Sequence, residues 1–413
     1  MGRSMNDLRR SALAIFFFGA LLLSSGAFAP LWTDTAAHDV AEGGVALQII
    51  WSAIYLFAAA LLLPRYKQAA HILAANWLLF LLIALCAVSA LWSPNVAVTL
   101  RKSVAITGTT LLGVCFALEF DMRSQLRILV AVISVAAVAS LLAELFYPAS
   151  FPATEFAGAA WHGVFSHKNL LGRTMSLGVV TFLCFGFKRL GSILTASIGV
   201  LACVSMIVAA RSQTALVVAL AIPLLIGISG ILRADWRRAW AGSMLALTFF
   251  APVAAYAISH RDSAVALLGR DATFTGRSQI WDLTAPAFTS HFWLGHGYGA
   301  FWWISSDSIQ IISELGYDTP NAHNAFLDLG LQVGVIGIVL FFAGWLVSLF
   351  GAGRLVRKSS AVESRWPLLY LLFLLLYSFT ESSLLAPNSL LWILYSAACF
   401  TVSNSNQAQH QAA

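Results

Sequence analysis

The chain has 413 residues, of which 59% are hydrophobic and only 10% charged, and it carries a formal net charge of +6. Soluble domains hold about 25% charged residues, so this composition excludes an ordinary water-soluble enzyme and predicts an all-α polytopic membrane protein. Placing each basic residue along the chain also excludes a nucleic-acid footprint as the reason for the positive charge, as shown below.

A bilayer core of roughly 30 Å takes about 20 apolar residues per helix. Runs of that kind fall near residues 12–31, 45–63, 72–91, 104–118, 128–146, 170–187, 192–210, 214–232, 240–258, 325–350, 366–379 and 384–400, which predicts about twelve transmembrane helices. At the start, Arg9 and Arg10, an apolar stretch and Ala27-Phe28-Ala29 can also be read as a cleavable signal peptide. Cleavage would remove one helix and leave the orientation of the others unchanged. Arg3, Arg9, Arg10, Arg65, Lys67, Arg123, Arg127, Lys188, Arg189, Arg233, Arg237, Arg238, Arg354, Arg357, Lys358 and Arg365 fall at alternate helix connections, 16 of the 24 basic residues. That alternation is the positive-inside pattern and predicts cytoplasmic termini. Arg101, Lys102, Lys168, Arg173, Arg211, Arg261, Arg270 and Arg277 break it and need another reason to exist. Cys86, Cys115, Cys184, Cys203 and Cys399 lie inside apolar runs without metal-ligand spacing, the setting of small buried hydrophobes.

Two external segments stand out, 147–169 and 259–324. The second is expected to be a long periplasmic loop between the ninth and tenth spans of a single membrane domain covering 1–413, and a loop of that length is usually functional or disordered. Its aromatic content argues against disorder. Within it, 278–288 predicts a short helix with Ile280, Trp281, Thr284 and Phe288 near one face, bent or ended by Pro286. The glycine-punctuated aromatic stretch 293–303 suits the headgroup zone.

Asp318-Thr319-Pro320-Asn321-Ala322-His323-Asn324 then precedes an apolar run. Thr319 as N-cap and Pro320 at the first helical position predict a helix start with His323 in its first turn. There the helix dipole disfavours imidazolium and leaves a neutral base; a loop-capping role fits the same spacing. Asp328, five residues on at about 100° each, would point roughly 140° away and so is not expected to orient His323. Gly330, Gly334 and Gly337 mark close helix packing.

The remaining cations gather on the same external side. Arg211 lies between two apolar runs in Arg211-Ser212-Gln213, and Arg277 in Gly276-Arg277-Ser278-Gln279. Arginine offers a planar, permanently charged fork matching phosphate oxygens, although snorkelling to lipid headgroups would also account for either residue. His167, Lys168 and Arg173 form a third cluster, and Arg101 with Lys102 a fourth. Four cationic clusters on one face favour an anionic substrate. The sequence has no Asp-x-Asp pair, His-Glu-x-x-His or phosphate loop, so the chemistry is expected to need neither metal, ATP nor another cofactor.

These stretches resemble the bacterial O-antigen ligase and polysaccharide polymerase superfamily, and most nearly its exopolysaccharide polymerase branch. The resemblance rests on Trp92-Ser93 with Arg101, Gly163-Val164-Phe165-Ser166-His167-Lys168-Asn169 with Gly172-Arg173, Arg211-Ser212-Gln213-Thr214-Ala215, Gly276-Arg277-Ser278-Gln279-Ile280-Trp281, Leu294-Gly295-His296-Gly297-Tyr298-Gly299, and His323-Asn324 with Gly334. They run in order, and Glu381-Ser382 is a weaker further match. The resemblance implies a glycosyltransferase of the bacterial inner membrane with its site facing the periplasm. It would take a glycan from an undecaprenyl-pyrophosphate carrier to an acceptor hydroxyl. Arg211 and Arg277 would clamp the pyrophosphate and His323 would position or deprotonate the acceptor. Arg101, His167, Lys168, Arg173 and Asn324 are further substrate-binding candidates. The acceptor stays open between another carrier-linked repeat, lipid A core (an O-antigen ligase) and a protein side chain. A transporter or flippase is the reading from another class, disfavoured because the basic groups gather at one surface rather than the bilayer midplane.

Overall fold

The computed structural model describes residues 2–31, 44–146, 160–186, 190–231, 277–359 and 361–411, and every regular element among them is helical. In chain order these are α1 (Gly2–Ser24), α2 (Val45–Leu62), α3 (Tyr66–Ala75), α4 (Trp77–Val88), α5 (Val96–Glu119), α6 (Met122–Phe146), α7 (Lys168–Phe185), α8 (Leu190–Ala209) and α9 (Gln213–Ile231). Then come α10 (Arg277–Ser290), the short α11 (Phe301–Ile304), α12 (Ser306–Leu315), α13 (Ala325–Lys358), α14 (Trp366–Ser378) and α15 (Leu390–Gln411).

Five helical stretches among the described residues are long and apolar enough to cross a membrane: Val45–His71, Val96–Glu119, Met122–Phe146, Gly191–Ala209 and Ala325–Lys358. Shorter apolar helices cover Trp77–Leu91, Gln213–Gly227 and Leu390–Ser405. The chain is a multi-pass membrane protein. The span expected near 240–258 and the loop residues 259–276 lie outside the described residues.

Several boundaries differ from the hydropathy reading. The run at 72–91 is broken at Asn76, which ends α3 and starts α4; its amide bonds the Ser403 hydroxyl at 2.9 Å instead of continuing one helix. The last span begins at Leu390 rather than near 384, because 379–389 forms a connection in which Leu385 and Asn388 take positive φ. Pro286 lies inside α10, which runs on to Ser290 instead of ending. All five cysteines are buried and free, as expected.

The centre of the bundle is made by α5, α14 and α15, where Phe116, Tyr370, Phe373, Tyr377, Trp392, Tyr395 and Phe400 are fully buried. Polar groups there are paired, as burial requires: the Trp392 indole donates to the Thr110 hydroxyl at 2.9 Å. By contrast α2 buries only Leu47, Trp51 and Ala58 and exposes Val45, Ile49 and Leu56, an apolar outer face suited to lipid.

The two ends of the bundle differ in chemistry. At one end Glu119 pairs with Arg9 at 3.0 Å and Arg65 at 3.2 Å, and Asp121 faces Arg10 at 3.4 Å. At the other end α7, α9, α10 and α13 begin and α8 and α14 finish. That end is shaped by a break in α13. Gly334 sits at φ 68, outside helical space, and an added Cβ would meet the Trp293 carbonyl at 2.2 Å. The backbone groups freed there are taken up by the glycine-rich segment: His296 N–H donates to Leu331 O and Gly297 N–H to Gln332 O, while Val335 N–H donates to Phe292 O. The Leu294-Gly295-His296-Gly297 motif is therefore a strap across the break, which meets the demand that buried backbone groups be paired. Trp92 and Ser89 fasten the strap's other side, through Leu294 O and Tyr298 N.

Candidate functional site

Helix starts and stops bring the predicted residues to this end. An added Cβ at Gly172 would lie 2.8 Å from the Cβ atoms of Ala215 and Ser212, so the bare Gly172 backbone lets the start of α9 pack closely on α7 there. That contact sets the entrance of α7 beside the turn carrying Arg211. His167 caps α7, its Nδ1 accepting the Asn169 N–H at 3.2 Å. Burial pushes the His167 imidazole below its ordinary value of 6.5, which keeps it neutral and able to accept. Arg211 sits in the tight turn between α8 and α9 at φ 49. Its exposed guanidinium has no ion pair or hydrogen bond among the described residues. Ser212 next to it donates to Asn169 Oδ1 at 3.4 Å.

Arg277 opens α10. Its Nη2 donates to Glu381 Oε1 at 2.7 Å, and Nη1 donates to the Thr380 carbonyl. Asn169 Nδ2 donates to the same Glu381 Oε1 at 2.9 Å. A continuous path of hydrogen bonds thus joins Ser212, Asn169, Glu381 and Arg277. The fourth arrival is His323, whose Nδ1 lies 3.5 Å from Glu381 Oε2. Burial pushes the Glu381 carboxyl up, but the facing His323 and Arg277 outweigh it and hold the group below its ordinary range. Glu381 is therefore a carboxylate at neutral pH.

His323 is not in the first turn of a helix, contrary to the sequence reading. Thr319 donates its hydroxyl to Asn321 O instead of capping, and α13 begins only at Ala325 with Asn324 as its cap. Asn324 Oδ1 accepts the N–H groups of Phe326 and Leu327, so that oxygen is committed to the fold. His323 precedes the cap at φ 50, a backbone region that non-glycine residues rarely occupy and that concentrates at functional positions. The Asn321 side chain supports the turn by accepting the His323 N–H at 3.0 Å. Asp328 also acts on this turn, although not through the imidazole. Its carboxylate accepts the Ala322 N–H at 3.1 Å and the Trp302 indole at 2.7 Å, and takes the Ser382 hydroxyl as well. The helical-wheel reading that set Asp328 aside placed His323 on a helix that starts only after it.

The other candidates divide. Arg173 is half-buried one turn into α7, with Glu381, Tyr377 and Tyr370 as electrostatic neighbours. Arg101 and Lys102 instead join the strap: Arg101 lies 5.6 Å over the Trp303 ring, and Lys102 packs against Gly299. Sequence reasoning passed over Asn169 and gave Glu381 little weight. A carboxylate between two apolar runs near the end of the chain was the signal for Glu381, since acids in such surroundings are costly.

Residues 198–342 match the family described as O-antigen ligase, a stretch that includes Arg211, Arg277 and His323. Over 329 residues, 75% of this chain and 73% of the relative, the chain is 26% identical to the "Exopolysaccharide production protein ExoQ" of Rhizobium meliloti (strain 1021). The chain is thus similar to the O-antigen ligase family over that stretch and to an exopolysaccharide production protein over most of its length.

Proposed function

We propose that the protein is an inverting glycosyltransferase of a bacterial inner membrane, taking a glycan from an undecaprenyl-pyrophosphate carrier and joining it to an acceptor sugar hydroxyl. The observation that carries this reading is the meeting of Arg277, His323 and the Arg211 turn at one end of the bundle through Asn169 and Glu381. Arg211 has a guanidinium with no partner among the described residues, open to an anion. Arg277 has its Nε and the unbonded N–H groups of its fork to offer. The acceptor oxygen attacks the anomeric carbon, the bond to the carrier pyrophosphate breaks, and its charge is stabilised by the two arginines. The acceptor proton passes to His323. Preorganised cations of this kind can replace a metal in stabilising a departing phosphate, and we infer a metal-independent reaction. Lys168 and Arg173 extend the cationic lining beside the neutral His167, with Arg101 further out on α5; Asn324 contributes by fixing the end of the His323 turn. The site faces the periplasm and both termini the cytoplasm.

Polymerisation of repeat units is the favoured reaction, supported by the exopolysaccharide production named for the relative. Ligation to lipid A core is the second reading, supported by the family match. The test is purified protein in detergent with a carrier-linked oligosaccharide and no ATP or ion gradient. Ladders of lengthening product support a polymerase; a single addition to a core acceptor supports a ligase. Absence of any new glycosidic bond, with movement of the lipid-linked sugar across vesicles, would favour a flippase instead.

A further inference from the structure

Glu381 is a side chain whose two oxygens have different duties. Oε1 is filled by Arg277 and Asn169, at 2.7 and 2.9 Å. Oε2 faces Nδ1 of His323 at 3.5 Å, an ion-pair distance rather than a formed hydrogen bond, and that buried Nδ1 has no other partner. With side-chain exposure of 15% and both oxygens directed at protein groups, Glu381 has no face left for a substrate proton. It nevertheless contacts α7, α10 and the His323 turn together, through Asn169, Arg277 and His323.

We propose that Glu381 is a positioning residue for the transfer reaction: its single carboxylate fixes the Arg277 guanidinium and the His323 imidazole relative to each other. With Nδ1 turned to a carboxylate, the imidazole keeps its proton there and presents Nε2 as the basic nitrogen, the way an outer partner sets a functional histidine's tautomer. With Oε1 on Nη2 and the Thr380 carbonyl on Nη1, Arg277 is held at one edge, and its remaining N–H groups keep a fixed direction for an anion. Base and clamp then share one anchor, so the distance between the leaving phosphate and the attacking oxygen is set by a rigid contact rather than by two independent loops. Alignment of this kind acts on the rate more than on the binding of the donor.

The inference rests on the function proposed above, and the test separates the two. Wild type, Glu381→Gln, Glu381→Asp and His323→Ala are purified as full chains in detergent and assayed with carrier-linked oligosaccharide. Glu381→Gln keeps size but loses the charge; it is expected to lower kcat by about a hundredfold or more while donor KM stays within about threefold. Glu381→Asp keeps the charge but withdraws it by one methylene, and is expected to give an intermediate kcat at unchanged KM with a melting midpoint close to wild type. If Glu381→Gln does not fold, the Asp variant decides. A folded Glu381 variant with wild-type kcat overturns the inference, as does one whose loss lies wholly in donor KM. A wild-type rate in His323→Ala overturns the reading of the site itself; a dead His323→Ala beside fully active Glu381 variants overturns only the positioning role.

Discussion

Asp328 holds Ala322 with both carboxylate oxygens, each 3.1 Å from the Ala322 N–H, and so fixes the backbone immediately before His323. The same carboxylate takes Trp302 and Ser382, which ties α11, the His323 turn and the Glu381 connection into one unit. Every group around it is a donor. Asp328→Asn must therefore turn its NH2 toward at least one of them, and an unsatisfied buried donor costs about 1–3 kcal/mol. The expected result is a lower melting midpoint in detergent together with a reduced transfer rate. An unchanged midpoint with unchanged rate would show that the turn is held by something else.

Arg211 and Arg277 should respond differently to removal although both are assigned to the pyrophosphate. Arg211 has no ion pair or hydrogen bond among the described residues, so Arg211→Ala is expected to cut transfer and leave the melting midpoint where it was. Arg277 is in a mostly buried ion pair, with side-chain exposure of 13%, and Arg277→Ala leaves Glu381 uncompensated at a cost of about 3 kcal/mol. Arg277→Lys keeps charge but loses the fork and should lower the rate about tenfold or more. Thermal melting and initial rates check each; full activity in Arg277→Lys would reduce that residue to a point charge.

The break in α13 gives a paired test on glycines. Gly334→Ala forces a side chain into the Trp293 carbonyl at a positive φ, and it should prevent the strap from closing. Gly344→Ala, further along the same helix, meets nothing closer than 3.5 Å and should be neutral or stabilising by up to about 1 kcal/mol. Melting midpoints of the two proteins should separate widely. Similar midpoints would mean that α13 tolerates being straight.

Two imidazoles make stability depend on pH. His167 and His296 are both pushed by burial below the ordinary value of 6.5. The unfolded chain therefore binds these protons more readily than the folded one. Their contribution is complete above 6.5 and is lost as pH falls through the lowered values. Glu381 adds to this only in stronger acid, below its ordinary value of 4.5. Melting midpoints taken from about pH 8 to about pH 5 should begin to decline near the histidine value. A flat profile across that window would mean that neither imidazole resists protonation.

The helices were legible because apolar runs of membrane-spanning length dominate the sequence. What hydropathy did not show was local. Asn76 interrupts an apolar run with a polar contact to Ser403 more than three hundred positions away. Thr319-Pro320 has the chemistry of a helix start, yet Asn324 supplies the cap, since its oxygen reaches two free N–H groups. That shift of a few positions moved His323 off the helix and hid its neighbours. Glu381 was least legible, because its partners come from segments between 58 and 212 residues away in the chain. Gly334 was read as a packing residue, and it is one, although what packs on it is the backbone of the strap rather than another helix.

The central claim is that the imidazole at the mouth of this bundle takes the proton as a lipid-linked glycan is transferred. It is tested most directly by a single-turnover assay of His323→Ala, inserted and folded like wild type, with carrier-linked oligosaccharide in excess of KM. The account predicts that glycosidic bond formation falls by two orders of magnitude or so, within the range of about 10²–10⁴ for a lost acid–base group, while donor still binds. A His323→Ala protein that forms product at the wild-type rate would contradict it.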